Sequence, residues 1–249
     1  MNGVRLAVSW LTVVPVAGPA TVDRQIAGRA ITGAPLIGVA LGGIAAGAMW
    51  LFDQAGLTTL LTGLLTVGLL ALLTRGMHLD GLADTVDGLG GYGPPARARE
   101  IMKSGGAGPF GVAALVFAVA IQAVAFATLA EQQRWFALVL AVAAGRVAVV
   151  LACRPGVTAA PDAGFGALVA GTQSRAAVAI WPTIAIAGSV AVVPSARWLG
   201  PIVVVAALAL ALLITRHCVR RFEGLSGDVL GALVEITVAL AAVGFTLRG

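Results

Sequence analysis

Between residues 33 and 247 the sequence returns again and again to uncharged apolar stretches, each close to the roughly 20 residues that carry a helix across a bilayer's hydrocarbon core. Read with their breakers, they predict seven spans, at 33–52, 57–74, 109–130, 135–153, 176–194, 198–215 and 228–247. With 59% apolar and 11% charged residues and a mean hydropathy of +0.99, the chain has too little polar surface to clothe a soluble domain. An outer-membrane barrel would show strands of about ten residues alternating apolar and polar, and none appear. The expected fold is all-α: a polytopic integral membrane protein of about seven transmembrane helices, forming a single transmembrane domain over 1–249.

Ahead of the first span, the apolar run 6–14 followed by Ala17-Gly18-Pro19-Ala20 outlines a signal peptide, but Pro15 interrupts it. A short re-entrant or interfacial helix is expected there instead. Gly38, Gly42, Gly43 and Gly47 share the first span, and small residues at such spacing let helices approach closely, so all four are read as packing positions. No internal repeat supports the inverted duplication of many secondary transporters. Cys153 and Cys218 lie far apart without a CxxC motif and are read as inert packing residues.

The net charge of +5 would suggest nucleic acid in a soluble protein, but the basic residues here sit in loops beside the spans, so no nucleic-acid partner is expected. A cytoplasmic N-terminus puts Arg5, Arg24, Arg29, Arg75, Arg97, Arg99, Lys103, Arg154, Arg175, Arg216, Arg220 and Arg221 inside. Only Arg134, Arg197 and Arg248 remain outside. The chain is therefore expected in the cell membrane with its N-terminus and its acidic loops facing the cytoplasm.

Those acids form two constellations. Residues 78–88 carry Asp80, Asp84 and Asp87 at spacings of four and three, which a helix gathers on one face. Like charges beside a bilayer repel strongly and are expensive, and a divalent cation is the usual remedy. Oxygen donors without a nearby cysteine argue for Mg²⁺, Mn²⁺ or Ca²⁺ over zinc. The competing reading is a solvated acidic helix end. In the second constellation Asp228 and Glu235 are seven apart on one face of the last span. Glu235, inside the apolar run, must meet a cation or an arginine. The preceding Gly224-Leu225-Ser226-Gly227 turn offers backbone N–H groups to a phosphate, with Ser226 and Gly227 nearest the helix start. Lys103 in the glycine-rich lead into the third span is a candidate phosphate ligand, and Arg146 inside the fourth should pair with an acid or a phosphate. His78 adjoins Asp80 and is the better placed of the two histidines to contact substrate.

The grouping of aspartates resembles the metal site of the CDP-alcohol phosphotransferases, but the Ala-Arg and the second aspartate pair of that signature are missing. The stretch His78-Leu79-Asp80-Gly81-Leu82-Ala83-Asp84-Thr85-Val86-Asp87-Gly88 resembles, uninterrupted, the hallmark of the cobalamin synthase family, the adenosylcobinamide-GDP ribazoletransferases. Pro35-Leu36-Ile37-Gly38, Ile101-Met102-Lys103 with Gly108 and Gly111, Gly145-Arg146, and Ser226-Gly227-Asp228-Val229-Leu230-Gly231-Ala232 with Glu235 resemble further family motifs in the same order. The sequence departs from the pattern at 104–107, at Thr12-Val13, and at Glu223 and Ser226.

This resemblance implies a Mg²⁺-dependent phosphoryl transfer that joins adenosylcobinamide-GDP to α-ribazole or its 5′-phosphate and releases GMP. It implies metal ligation by Asp80, Asp84 and Asp87, and a second metal or the attacking hydroxyl at Asp228 and Glu235. Asp84, Asp87 and Asp228 form the catalytic set. His78, Lys103, Arg146, Ser226 and Gly227 bind substrate. The expected partners are the two substrates and the lipid bilayer, with self-association or docking to other cobalamin-pathway enzymes as a further expectation. The rivals are a CDP-alcohol phosphotransferase-like lipid enzyme and, from another class, an ion or metal transporter.

Overall fold

The structure, a computed structural model, describes residues 2–161 and 163–247. Arg248, expected on the outer side, lies outside the described residues. Eleven helices follow one another among the described residues: α1 (Asn2–Leu11), α2 (Arg24–Gln54), α3 (Thr59–Leu73), α4 (Met77–Gly90), α5 (Pro95–Met102), α6 (Pro109–Glu131), α7 (Trp135–Ala152), α8 (Gly164–Val169), α9 (Arg175–Ser189), α10 (Leu199–Arg221) and α11 (Gly227–Thr246). The only β pairing among them is an isolated bridge between Ala159 and Leu225, so the all-α expectation holds.

Local chemistry starts the longer helices where they start. Asp23 accepts the Ile26 N–H at 2.7 Å, Ser174 the Ala177 N–H at 3.1 Å and Ser226 the Val229 N–H at 3.3 Å, each satisfying an amide that the first turn leaves without a partner. Between α3 and α4 the chain turns by 93° through Arg75 and Gly76, both at positive φ (56° and 67°). A left-handed pair of this kind ends one helix and redirects the next.

Five helices, α2, α6, α7, α10 and α11, are long and apolar enough to cross a membrane, or six if the bent α3–α4 pair counts as one span. The expected seven are not reproduced. The stretches read as spans at 57–74 and 176–194 fold as α3 and α9, each of 15 residues. At 1.5 Å per residue such a helix reaches only about 22 Å, short of a ~30 Å core. The N-terminal segment is the short helix expected, with Leu6 and Ala7 packed on Ala30 of α2.

α7, buried along nearly its whole length, is the axis of the bundle, flanked by α2 and α11. Gly38 and Gly42 let α2 approach: a methyl on either would lie 2.9 Å from the Ala143 Cα or 2.8 Å from the Val139 Cα. Gly43 and Gly47 face open space and pack against nothing, contrary to the expectation that all four serve packing. The outer faces carry exposed Leu36, Ile44, Phe117, Ile180, Ile202 and Leu213, a surface suited to lipid. Cys153 and Cys218 are buried and unpaired, as read.

The two ends of the bundle differ. At one, Arg75 donates to the carbonyls of Ser9 and Trp10, Arg24 to those of Ala167 and Ala170, and Arg221 to those of Gly91 and Gly93. At the other, Arg134 donates to Phe245 and Leu247 and Gln132 to Thr246. The basic residues counted for orientation thus also close carbonyls that helix ends leave open.

Candidate active site

α4 follows the 93° turn, stands outside the five spanning helices and lies against α11 and α6. Its contact with α11 is backbone to backbone. A methyl on Gly81 would lie 2.9 Å from the Asp228 Cα, and one on Gly231 would lie 3.2 Å from the His78 Cα. A larger residue at Gly81 would push the helices apart and one at Gly231 would crowd them, and the approach sets Asp80 and Asp84 beside Asp228.

Three cavities surround these acids. One of about 230 Å³ is lined by Asp80, Asp228, Gly227, His78 and Phe165. A second, also of about 230 Å³, is lined by Asp228, Ser226, Gly227, Lys103, Arg99 and Phe165. A third, of about 660 Å³, is lined by Asp80, Asp84, Lys103, Gly105 and Gly106. Each pair of cavities shares one charged wall: Asp80, Asp228 or Lys103. Groups held in separate cavities would therefore meet at these three side chains.

Asp80 and Lys103 are exposed and Asp84 is half-buried. Burial, and after it the charges of Asp80, Asp228 and Asp87, raise the Asp84 carboxyl to about 6. Burial is the larger cause, and the carboxylates facing one another add to it. The donor set, oxygen only and mutually repelling, suits a hard divalent cation. Among the described residues no three acidic, His or Cys side chains already enclose one point, so holding a cation requires these carboxylates to draw together.

Not every expected site residue joins this group. Asp87 is buried, and both its oxygens accept backbone N–H groups of α6: Gly108 at 2.6 Å and Gly111 at 2.8 Å. Glu235 lies two turns deeper in α11 than Asp228 and accepts a hydrogen bond from the Gln122 amide at 2.6 Å. With Arg146, Gln122 and His78 it lines a separate chamber of only about 20 Å³, room for little more than a water. The buried Arg146 guanidinium donates to the Val142 carbonyl of its own helix at 3.2 Å. Neither Arg146 nor Glu235 lines the three cavities; His78 and Leu79 line both the chamber and a cavity. The Ser226 hydroxyl is engaged as the α11 cap, with Gly227 beside it at the helix start.

The sequence reading missed two participants. Phe165, on α8, walls two cavities and meets Trp10 edge to face with ring centroids 4.8 Å apart. No local pattern in the sequence announces it. Gln122 did leave a signal, as the lone amide in the apolar run of α6. Arg99, counted above among the inside basic residues, lines the second cavity and pairs with Glu223, a residue held at positive φ.

Comparison with known proteins identifies the family. The family described as cobalamin-5-phosphate synthase matches residues 3–246. The chain is 38% identical over 248 residues to the adenosylcobinamide-GDP ribazoletransferase of Corynebacterium efficiens, covering 97% of this chain and 90% of the relative. It is 38% identical to the protein of that name from Nocardioides sp., covering 98% of both chains. It is 37% identical to that of Frankia casuarinae, covering 94% of this chain and 91% of the relative. No solved structure matches. The chain belongs to the cobalamin-5-phosphate synthase family.

Proposed function

We propose that the chain joins adenosylcobinamide-GDP to α-ribazole, or to its 5′-phosphate, where the three cavities share Asp80, Asp228 and Lys103. That shared wall is the observation that carries the reading. A reaction of two large substrates at one phosphorus needs separate pockets that open on a common charged centre, and the family supplies the identity of the substrates.

In this reaction the 5′-hydroxyl of the ribazole attacks the cobinamide-side phosphorus. A new P–O bond forms, the bond to the GMP oxygen breaks, and GMP leaves with the electron pair. The hydroxyl proton passes to a carboxylate, for which Asp84 and Asp228 are the candidates. Asp80, Asp84 and Asp228 would hold Mg²⁺, which when bound offsets charge on the transferred group and on the departing phosphate. Lys103 brings its ammonium to the same phosphate oxygens. The start of α11 at Gly227, which lines two of the cavities, favours an anion there.

The bundle end that carries this site also carries most of the arginines, which supports a cytoplasm-facing site and N-terminus in the cell membrane.

The test is GMP release by purified chain in nanodiscs given adenosylcobinamide-GDP, α-ribazole and Mg²⁺. Release that requires both substrates and the metal, and is lost in Asp84→Asn, is the expected result. A folded Mg²⁺-binding protein that releases nothing from this donor would sink the assignment.

A further inference from the structure

Asp87 stands apart from the other two aspartates of its motif. Its side chain is turned from the cavities into the joint between α4 and α6. There Oδ2 accepts the Gly108 N–H at 2.6 Å and Oδ1 the Gly111 N–H at 2.8 Å. Gly108 is the N-cap position of α6, followed by Pro109 at the first helical position. A cap normally satisfies the first-turn amides with its own side chain. Glycine has none, and Pro109 has no N–H to offer. The carboxylate that a helix start attracts, through open amides and the helix dipole together, arrives here from a different helix.

The two glycines fit this purpose sterically. A methyl on Gly108 would lie 2.6 Å from Asp87 Oδ1; one on Gly111 would collide with Asp87 Oδ2 and lie 2.9 Å from the Ala83 carbonyl oxygen. Gly108 has an ordinary φ of −78°, so backbone conformation does not demand glycine there. Room for the carboxylate does.

The docked end of α6 is also the end of the loop 103–107. That loop carries Lys103, Gly105, Gly106 and Ala107 over the cavity that Asp80 and Asp84 line. We infer that Asp87 is a positioning residue: it clamps the start of α6 to α4, fixes the Lys103 loop over the substrate cavity, and stays outside the metal-binding set. The loop's role toward substrate rests on the proposed function; the clamp itself does not.

Amide exchange in the full-length chain, read by mass spectrometry with and without Mn²⁺, tests this directly. Slow exchange at Gly108 and Gly111 that is unchanged by saturating Mn²⁺ is the expected result. Faster exchange on adding metal would show that the cation recruits Asp87 and overturn the inference. This measurement needs no variant and no turnover.

Asp87→Asn retains one accepting oxygen and turns an NH₂ toward a donor, so exchange at 108–111 should rise about tenfold. Its Mn²⁺ affinity, read by electron paramagnetic resonance, should stay within about threefold of the parent. A larger loss of affinity overturns the inference. A chain that binds no Mn²⁺ counts against the metal reading and leaves the clamp to be judged by exchange in Asp87→Asn.

Where GMP release is measured, Asp87→Asn and Gly111→Ala should each raise the KM for the nucleotide donor by about fivefold or more. The Mg²⁺ concentration for half-maximal rate should not change. An unchanged donor KM in both variants removes the positioning role.

Discussion

Gly81 and Asp228 meet through their backbones: a methyl on Gly81 would lie 2.7 Å from the Asp228 carbonyl oxygen. This contact joins two acidic segments separated by almost 150 residues of sequence, and the proximity of Asp80 and Asp84 to Asp228 depends on it.

Gly81→Ala should therefore harm function beyond its effect on folding. Overpacking costs about 1–3 kcal/mol of stability. Prying α4 from α11 also separates the carboxylates, so turnover should fall by about tenfold or more at temperatures where the variant is still folded. Thermal unfolding in detergent beside GMP release separates the two effects. Full activity in a folded variant would show that the α4–α11 spacing is not critical.

Removing one charge from the cluster tests the metal. Asp84→Asn should lower turnover by about a hundredfold or more, equivalent to ~2.7 kcal/mol of barrier. Because it also relieves repulsion, its thermal stability without metal should equal or exceed the parent's. Wild-type chain stripped with chelator should lose activity and regain it on adding Mg²⁺.

The raised carboxyl of Asp84 predicts a pH dependence of metal binding. With no cation the group takes a proton as pH falls through about 6. A cation needs the ionised form, so protons compete with it. The Mg²⁺ concentration for half-maximal rate should be flat above about pH 7 and rise by up to tenfold per unit below about pH 6. A curve equally steep in Asp84→Asn would assign the proton to another group.

Gln122 is 2% exposed and gives its amide to Glu235. Gln122→Leu leaves that buried carboxyl without its donor, in a chamber that Arg146 and His78 also line. The loss of stability should be about 1–3 kcal/mol by the cost of an unsatisfied buried group, or nearer 0.6 if other partners take over as they often do within membranes. Substrate KM values should not move, because Gln122 lines only the chamber and none of the three cavities. A raised donor KM would connect chamber and site.

Much of this site could be read in the sequence because its chemistry is local. The spacings at Asp80, Asp84 and Asp87 put three carboxylates on one helix face, and no charge of opposite sign stands among them. The same periodicity could not tell that one of the three is taken by α6, since the amides that hold Asp87 come from residues more than twenty positions later. Arg146 and Glu235 were legible as polar groups in apolar helices. Their depth below the site was not, because α11 keeps Glu235 on the face of Asp228 while carrying it two turns away. The count of seven spans is not confirmed for a related reason. Hydropathy runs through 57–74, but the left-handed pair Arg75 and Gly76 cuts the helix at Leu73, and residues 176–194 lose their last turn after Ser189. Such terminations are set by packing and chain reversal more than by composition.

The shortness of α3 bears on the setting of the chemistry. If α3 crosses as a pass of 15 residues it falls short of an ordinary bilayer's thickness, and either lipids would thin around it or its sharp turn would be drawn below the headgroups. In either case the helix bearing the aspartates would sit lower than the ends of its longer neighbours. Acyl-chain length then becomes a control on the reaction: long-chain lipids would sink the acidic helix toward hydrocarbon, and short-chain lipids would lift it toward water.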